Sequence, residues 1–197
     1  MASHNPNRRQ QILETLALQL ESHPGSRITT ASLAGAVGVS EAALYRHFAS
    51  KAKMFEALID FAEESVFGLI NNILAQDKDV VTRCDKIMRV VLGFSEKNPG
   101  ITRVLLGDAL VGENERLRVR VNRFFQRLET QFKQILREAN LGQGMRAAAT
   151  IDATANQLLV LLEGKMGSYV RSEFAIKPTE YWQDQWELIQ GSLFKQG

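Results

Sequence analysis

Polar donors of one chemical kind gather in a single stretch of this chain, residues 27–51. Thr29, Thr30, Ser40, Tyr45, Arg46, His47 and Lys51 bring hydroxyl, guanidinium, imidazole and ammonium groups, and Glu41 is the only acid among them. Groups of this type donate to phosphate oxygens. Ala42 and Ala43 interrupt them with bare methyl groups, which would let the backbone come close to base edges and thymine methyls. The implied chemistry is non-covalent recognition of a phosphodiester duplex. No Ser/His/Asp order, metal-ligand spacing or phosphate-cradling glycine loop occurs elsewhere, so no catalytic residue, metal or cofactor is expected. The carboxylate pair Glu63-Glu64 reads as a solvated helix face.

Two short helices must position those donors. Thr30 is a candidate N-cap for a helix over 31–37, which Gly38 can end in the left-handed conformation. Ser40 is a candidate cap for a second helix over 41–48. A turn of about three residues, Gly38-Val39-Ser40, gives the pair helix-turn-helix spacing. Leu33, Ala34, Val37, Val39, Leu44 and Phe48 are spaced to pack the two on each other and on a preceding helix. That helix carries Ile12, Leu13, Leu16, Ala17 and Leu20 and stops near Ser22, before the turn cluster His23-Pro24-Gly25-Ser26. Arg8 and Arg9 precede it and read equally well as a basic arm for the minor groove or as an untethered terminus.

Helical periodicity continues to the end of the chain. Ser50 can cap a long helix with the stripe Phe55, Leu58, Ile59, Ala62, Val66, Leu69, Ile70 and Ile73, broken by Asp77-Lys78-Asp79. Further helices are expected over 80–97, 101–111, 113–139, 151–174 and 179–194. In 113–139, Leu117, Val121, Phe124, Leu128, Phe132 and Ile135 follow a 4-3-4-4-3 spacing beside seven basic residues. About three heptads of coiled-coil pattern inside a globular chain read as a core-lining helix. No hairpin signal is present. Met88, Phe94, Phe124, Phe125, Met166 and Tyr169 fit either a ligand cavity or plain core.

The ordered string Gly-Val-Ser-x-x-x-Leu-Tyr-x-His-Phe-x-Ser-Lys, residues 38–51, resembles the signature of the TetR family. The resemblance implies an all-α homodimer of about nine helices. A helix-turn-helix domain over 1–53 would bind palindromic double-stranded DNA, and a helical domain over 54–197 would regulate and dimerise. In that architecture the last two helices pair across a two-fold axis. Gly164 and Gly167 would then allow close helix approach, and Trp182 and Trp186, striped with Ile189 and Leu193, would face the partner.

Residues 92–107, 122–129 and 170–174 resemble one branch of the family, the nucleoid occlusion factors. Members of that branch bind chromosomal sites and there disrupt polymers of the tubulin-like division protein FtsZ. The branch implies that Phe61, Val90, Gly93, Lys97 and Asn98 receive the FtsZ C-terminal tail. Two positions depart from its pattern: Leu69 aligns with a groove arginine, and Lys97 stands where arginine is expected. Lysine cannot make the bidentate carboxylate contact of arginine. A ligand-responsive repressor of the same fold is the alternative.

Bulk properties agree. The 197 residues are 45% hydrophobic, enough for a sizeable core. Net charge is only +2, so a nucleic-acid surface must be a local patch. Through Lys53 there are six Lys/Arg against three acids, a local +3. The lone Cys84 can form no intrachain disulfide, which suits a reducing cytoplasm. Residues 1–9 lack the apolar run of a signal peptide, and no stretch approaches the roughly 20 apolar residues of a membrane span.

Overall fold

The computed structural model describes residues 6–197; residues 1–5, part of the signal-peptide reading, lie outside them. Nine α-helices lie among the described residues: α1 (Pro6–Ser22), α2 (Thr30–Val37), α3 (Glu41–His47), α4 (Lys51–Gln76), α5 (Val80–Lys97), α6 (Pro99–Leu105), α7 (Glu115–Asn140), α8 (Ile151–Arg171) and α9 (Trp182–Leu193). A two-stranded antiparallel ladder, β1 (Met145–Ala147) with β2 (Phe194–Gln196), joins them, with Arg146 opposite Lys195. Strands this short carry no period-two signal. No described helix is long and apolar enough to cross a membrane.

Contacts divide the chain into two compact units, each assembled from two separate pieces of sequence. The first takes residues up to Ala62 together with Asn98–Val121. Its core holds Ile12, Leu16, Leu20, Leu33, Leu44, Phe48, Met54 and Phe55, with Val104, Leu105 and Leu117 from the later piece. α6 lies directly on α1. A Cβ built on Gly100 would sit 2.1 Å from the Ala17 carbonyl oxygen, so no side chain fits there. Arg103, 2% exposed, donates from Nη1 to the carbonyls of Leu20 (2.6 Å) and His23 (3.2 Å), and from Nε to Asp108 (2.5 Å). A cation thus sits on carbonyls at and just beyond the end of α1, the favourable sign for a helix C-terminus; the His23 carbonyl also accepts from the Ser26 amide.

The second unit comprises Glu63–Lys97 and Asn122–Gly197. Ile87, Met88, Val91, Phe124, Leu128, Phe132, Leu158, Leu162 and Met166 fill it. Phe124 meets Phe67 and Phe125 edge-on at 5.6 and 5.3 Å. Arg83 repeats the device of Arg103. It is buried and donates to the carbonyls of Leu74 (3.0 Å) and Asp77 (2.7 Å) at the end of α4, and to Glu138 (2.8 Å).

Several boundaries differ from the sequence reading. α1 starts at Pro6, so Arg8 and Arg9 are helical rather than a free arm. Arg8 bonds Gln11 one turn on, and the Arg9 guanidinium lies 4.7 Å from the centre of the Phe48 ring. α6 ends at Leu105 instead of 111, because Gly107 turns left-handed (φ 77°) into a 3-10 turn, Asp108–Leu110. α8 stops at Arg171, where Glu173 and Phe174 adopt positive φ. Leu69 is exposed on α4, although its i+7 spacing from buried Ala62 aligns it with the buried stripe.

Candidate nucleic-acid interface

The donors of residues 29–51 stand on a locally determined frame. Thr29, rather than Thr30, caps α2: the Ser32 amide donates to its hydroxyl (3.0 Å), and the Thr29 amide donates to the Ser32 hydroxyl (3.2 Å). Gly38 has φ 75° and ends α2, while the Val39 amide reaches back to the Ala34 carbonyl at 2.9 Å. Only glycine takes that backbone conformation without a steric penalty. Ser40 caps α3 through the Ala43 amide (3.2 Å). Thr30, freed from capping, donates to Glu41 at 2.6 Å and ties the starts of α2 and α3 together.

α3 buries Leu44 and leaves Ala42, Tyr45 and Arg46 in solvent, with Ala43 and His47 half-buried. Arg46 has no ion-pair or hydrogen-bond partner among the described residues. Tyr45 is 46% exposed, an accessible phenol on the outer face. Thr29 and Ser40 are likewise exposed, and Thr30 is half-buried.

Lys51 differs from the other donors. It is the first residue of α4, and its Nζ lies 2.5 Å from Glu113, with side-chain exposures of 17% and 9%. Its ammonium also lies 5.5 Å from the Phe55 ring centre. Arg27 reaches the same carboxylate at 3.6 Å. Glu113 is 62 residues from Lys51 in the chain, so no local pattern in the sequence could have announced it.

The positions implied for a peptide tail fall as follows. Phe61 is 45% exposed, whereas Leu58, Ile59 and Ala62 around it are core. The adjacent Asp60 pairs with Arg120 at 2.6 Å. On α5, half-buried Val90, open Gly93 and exposed Lys97 follow i, i+3, i+7 spacing and share one face. Asn98 is the N-cap residue of α6, and its carbonyl accepts from the Thr102 amide at 2.9 Å.

Trp182 and Trp186, expected to face the partner, are 3% and 4% exposed in the single chain, with rings 5.6 Å apart and the Trp182 indole donating to Asp85 at 2.7 Å; Trp182 also lines the cleft between α8 and α9. The apolar residues that α8 and α9 turn outward are Val160 and Leu188, the latter 79% exposed. With Leu161, Gly164 and Ile189 they line a cleft of about 380 Å³. Gly164 has open space where a Cβ would be, whereas Gly167 faces the flexible end of Arg171 at 3.1 Å. Met88, Phe124, Phe125, Met166 and Tyr169 are all buried.

Solved structures with this fold include the ketosteroid transcriptional regulator KstR2 of Mycobacterium tuberculosis (TM-score 0.76, 17% identity, 99% of both chains). Another is the MbdR regulator from Azoarcus sp. CIB (TM-score 0.79, 14% identity, 94% of this chain and 98% of that one). Among curated proteins, the nucleoid occlusion factor SlmA of Marinomonas sp. (strain MWYL1) is 55% identical over 98% of both chains. That of Shewanella pealeana (strain ATCC 700345 / ANG-SQ1) is 53% identical, again over 98% of both. Residues 12–58 match the bacterial regulatory proteins of the tetR family, and residues 78–194 match the SlmA-like form of the tetracyclin repressor-like C-terminal domain. With the signature turn built as described and full-length relatives above half identity, this chain belongs to the TetR family of helix-turn-helix DNA-binding regulators, in its SlmA-like group.

Proposed function

We propose that this chain is a nucleoid occlusion factor that acts from the nucleoid in the cytoplasm. Residues 1–53 read palindromic chromosomal sites as a homodimer, and residues 54–197 dimerise and regulate. Bound to DNA, the protein antagonises FtsZ polymerisation and Z-ring assembly over the chromosome. The observation that carries this reading is identity of 55% along nearly the whole of both chains with a relative of that name, C-terminal domain included.

In the DNA contact, Thr29, Thr30, Ser40, Tyr45, Arg46 and His47 hold phosphates, Ala42 and Ala43 face bases, and Lys51 adds a cation at the start of α4. The dimer forms through α8 and α9, with Gly164 on the outward face. The FtsZ tail takes Phe61 as its apolar anchor, Val90 and Gly93 as its floor, and Lys97 and Asn98 as polar holds. A half-exposed Phe61 beside buried neighbours supports that role, because an accessible aromatic commonly dominates a small peptide interface.

Two measurements test it. Genome-wide mapping should find scattered sites absent from the replication terminus, not one promoter. Phe61→Ala and Lys97→Glu should keep fold and DNA binding yet lose co-sedimentation with FtsZ. Normal FtsZ binding by both variants would refute the tail site.

A further inference from the structure

We propose that Glu113 is an electrostatic brake on DNA binding, holding Lys51 and Arg27 in the free protein as a phosphate would hold them in the complex. The proposal rests on the reading of Lys51 as a phosphate-binding cation. Lys51 begins α4 directly after the Ser50 cap, four residues beyond the end of α3. Arg27 leads into α2 and is largely in solvent, with a side chain 69% exposed. Both cations converge on one carboxylate oxygen, Glu113 Oε1, at 2.5 and 3.6 Å.

The backbone at Glu113 is held. Its amide donates to the Leu110 carbonyl at 3.1 Å, and the preceding Gly112 turns left-handed at φ 75°. Gly112 also offers its carbonyl to Arg27 Nη2 at 3.4 Å. The backbone that carries the carboxylate is therefore held in a defined turn, and all three charged groups of the cluster sit on flexible side chains.

Two effects of the carboxylate then share a sign. In free protein it stabilises Lys51, and that contact is given up when a phosphate takes the ammonium. In the complex it remains as a buried negative charge near the phosphates, poorly screened by salt. Each raises the free energy of the complex relative to free protein. Removing the charge should tighten binding to any duplex, since phosphate contacts carry no sequence information. A carboxylate that merely positioned Lys51 for DNA would have the opposite effect.

The test measures affinity of the full-length chain by fluorescence anisotropy, across a salt series. The probes are a duplex recovered by selection from a random library and bulk genomic DNA. Glu113→Gln should bind both roughly three- to tenfold more tightly at low salt, with a salt slope steeper by about 1. Lys51→Met should weaken binding roughly tenfold and flatten the slope by about 1. In the double variant the part of the Glu113→Gln gain that comes from releasing Lys51 should vanish, leaving the share due to Arg27 and to relief of repulsion with the phosphates. Glu113→Ala carries the same forecast should the glutamine variant melt early. Unchanged or weaker binding by both Glu113 variants, with Lys51→Met still weakened, overturns the brake and leaves the phosphate role standing. A Lys51→Met protein with wild-type affinity and slope overturns both.

Discussion

The α2–α3 turn and the α8–α9 end of the chain are both well-ordered helix pairs, but they are held by bonds of very different reach. The turn is stapled by contacts three residues apart: Ser32 to Thr29, Ala43 to Ser40, Lys53 to Ser50. The far end is held by contacts that cross most of a unit. Trp182 reaches Asp85 over 97 residues, Tyr169 reaches the Glu96 carbonyl over 73, and β2 closes on β1. Short-range bonds leave a residue-type signature in a fixed order. Long-range bonds leave only a hydrophobic stripe. The turn is thus the legible part of the molecule and the end the illegible one.

Removing a long-range anchor should do the most damage. Trp182→Ala deletes a buried ring and its bond to Asp85, which keeps its pair with Arg89, so a loss of about 3–5 kcal/mol in denaturant unfolding is expected. A loss below about 1 kcal/mol would mean that α9 is held by something else. On the same helix, Leu188→Glu should leave the fold of the chain intact and shift the protein to monomer in sedimentation, an association loss of about 2 kcal/mol or more. A persistent dimer would place the two-fold interface away from the α8–α9 face.

The local frame should give smaller effects. Gly38→Val forces a β-branched residue to φ 75° and should cost about 1–2 kcal/mol or more, whereas Gly38→Asn should be milder. Thr29→Ala removes a cap and should cost about 1 kcal/mol, with DNA affinity falling only in proportion to fraying of α2. If Thr29→Ala destabilises as much as Trp182→Ala, the contrast between the two regions fails.

The smallest effect is a pH dependence. Gln134 and then Arg83 hold the Glu138 carboxyl below the usual glutamate range, by hydrogen bonds of 3.1 and 2.8 Å. A lowered carboxyl contributes stability above its unfolded value and loses it as pH falls through the lowered one. Between wild type and Glu138→Gln, the difference in melting temperature should therefore shrink on acidification below the ordinary carboxylate range. A constant difference would refute the contribution.

Much of the fold was open to reading from periodicity and punctuation. The buried faces of α1, α4, α5 and α7 follow the spacing of Ile12, Phe55, Ile87 and Phe124, and Gly38 and Ser40 mark their turn. The errors share a cause. Thr29 against Thr30 as cap depended on which hydroxyl meets the Ser32 amide, and Thr30 was taken by Glu41 instead. The end of α6 was set by the left-handed turn at Gly107. Trp182 and Trp186 form a stripe that suits core or interface alike; Asp85, far back in the chain, bonds the first, and the Phe194 ring lies against the second. At the nucleic-acid interface the donors could be listed from sequence, but the ion pair of Lys51 with Glu113 could not.

The arginine that satisfies the end of α1 also sets a timetable. Arg103 and Gly100 belong to the same unit as the recognition motif, yet they lie beyond α5 in the chain. During synthesis the motif leaves the ribosome with the carbonyls of Leu20 and His23 lacking this partner. At roughly 5–20 residues per second, the span from Ala62 to Val121 takes on the order of several seconds. For that interval the recognition motif is without the second piece of its own unit, which is complete only after more than half of the polypeptide has been made.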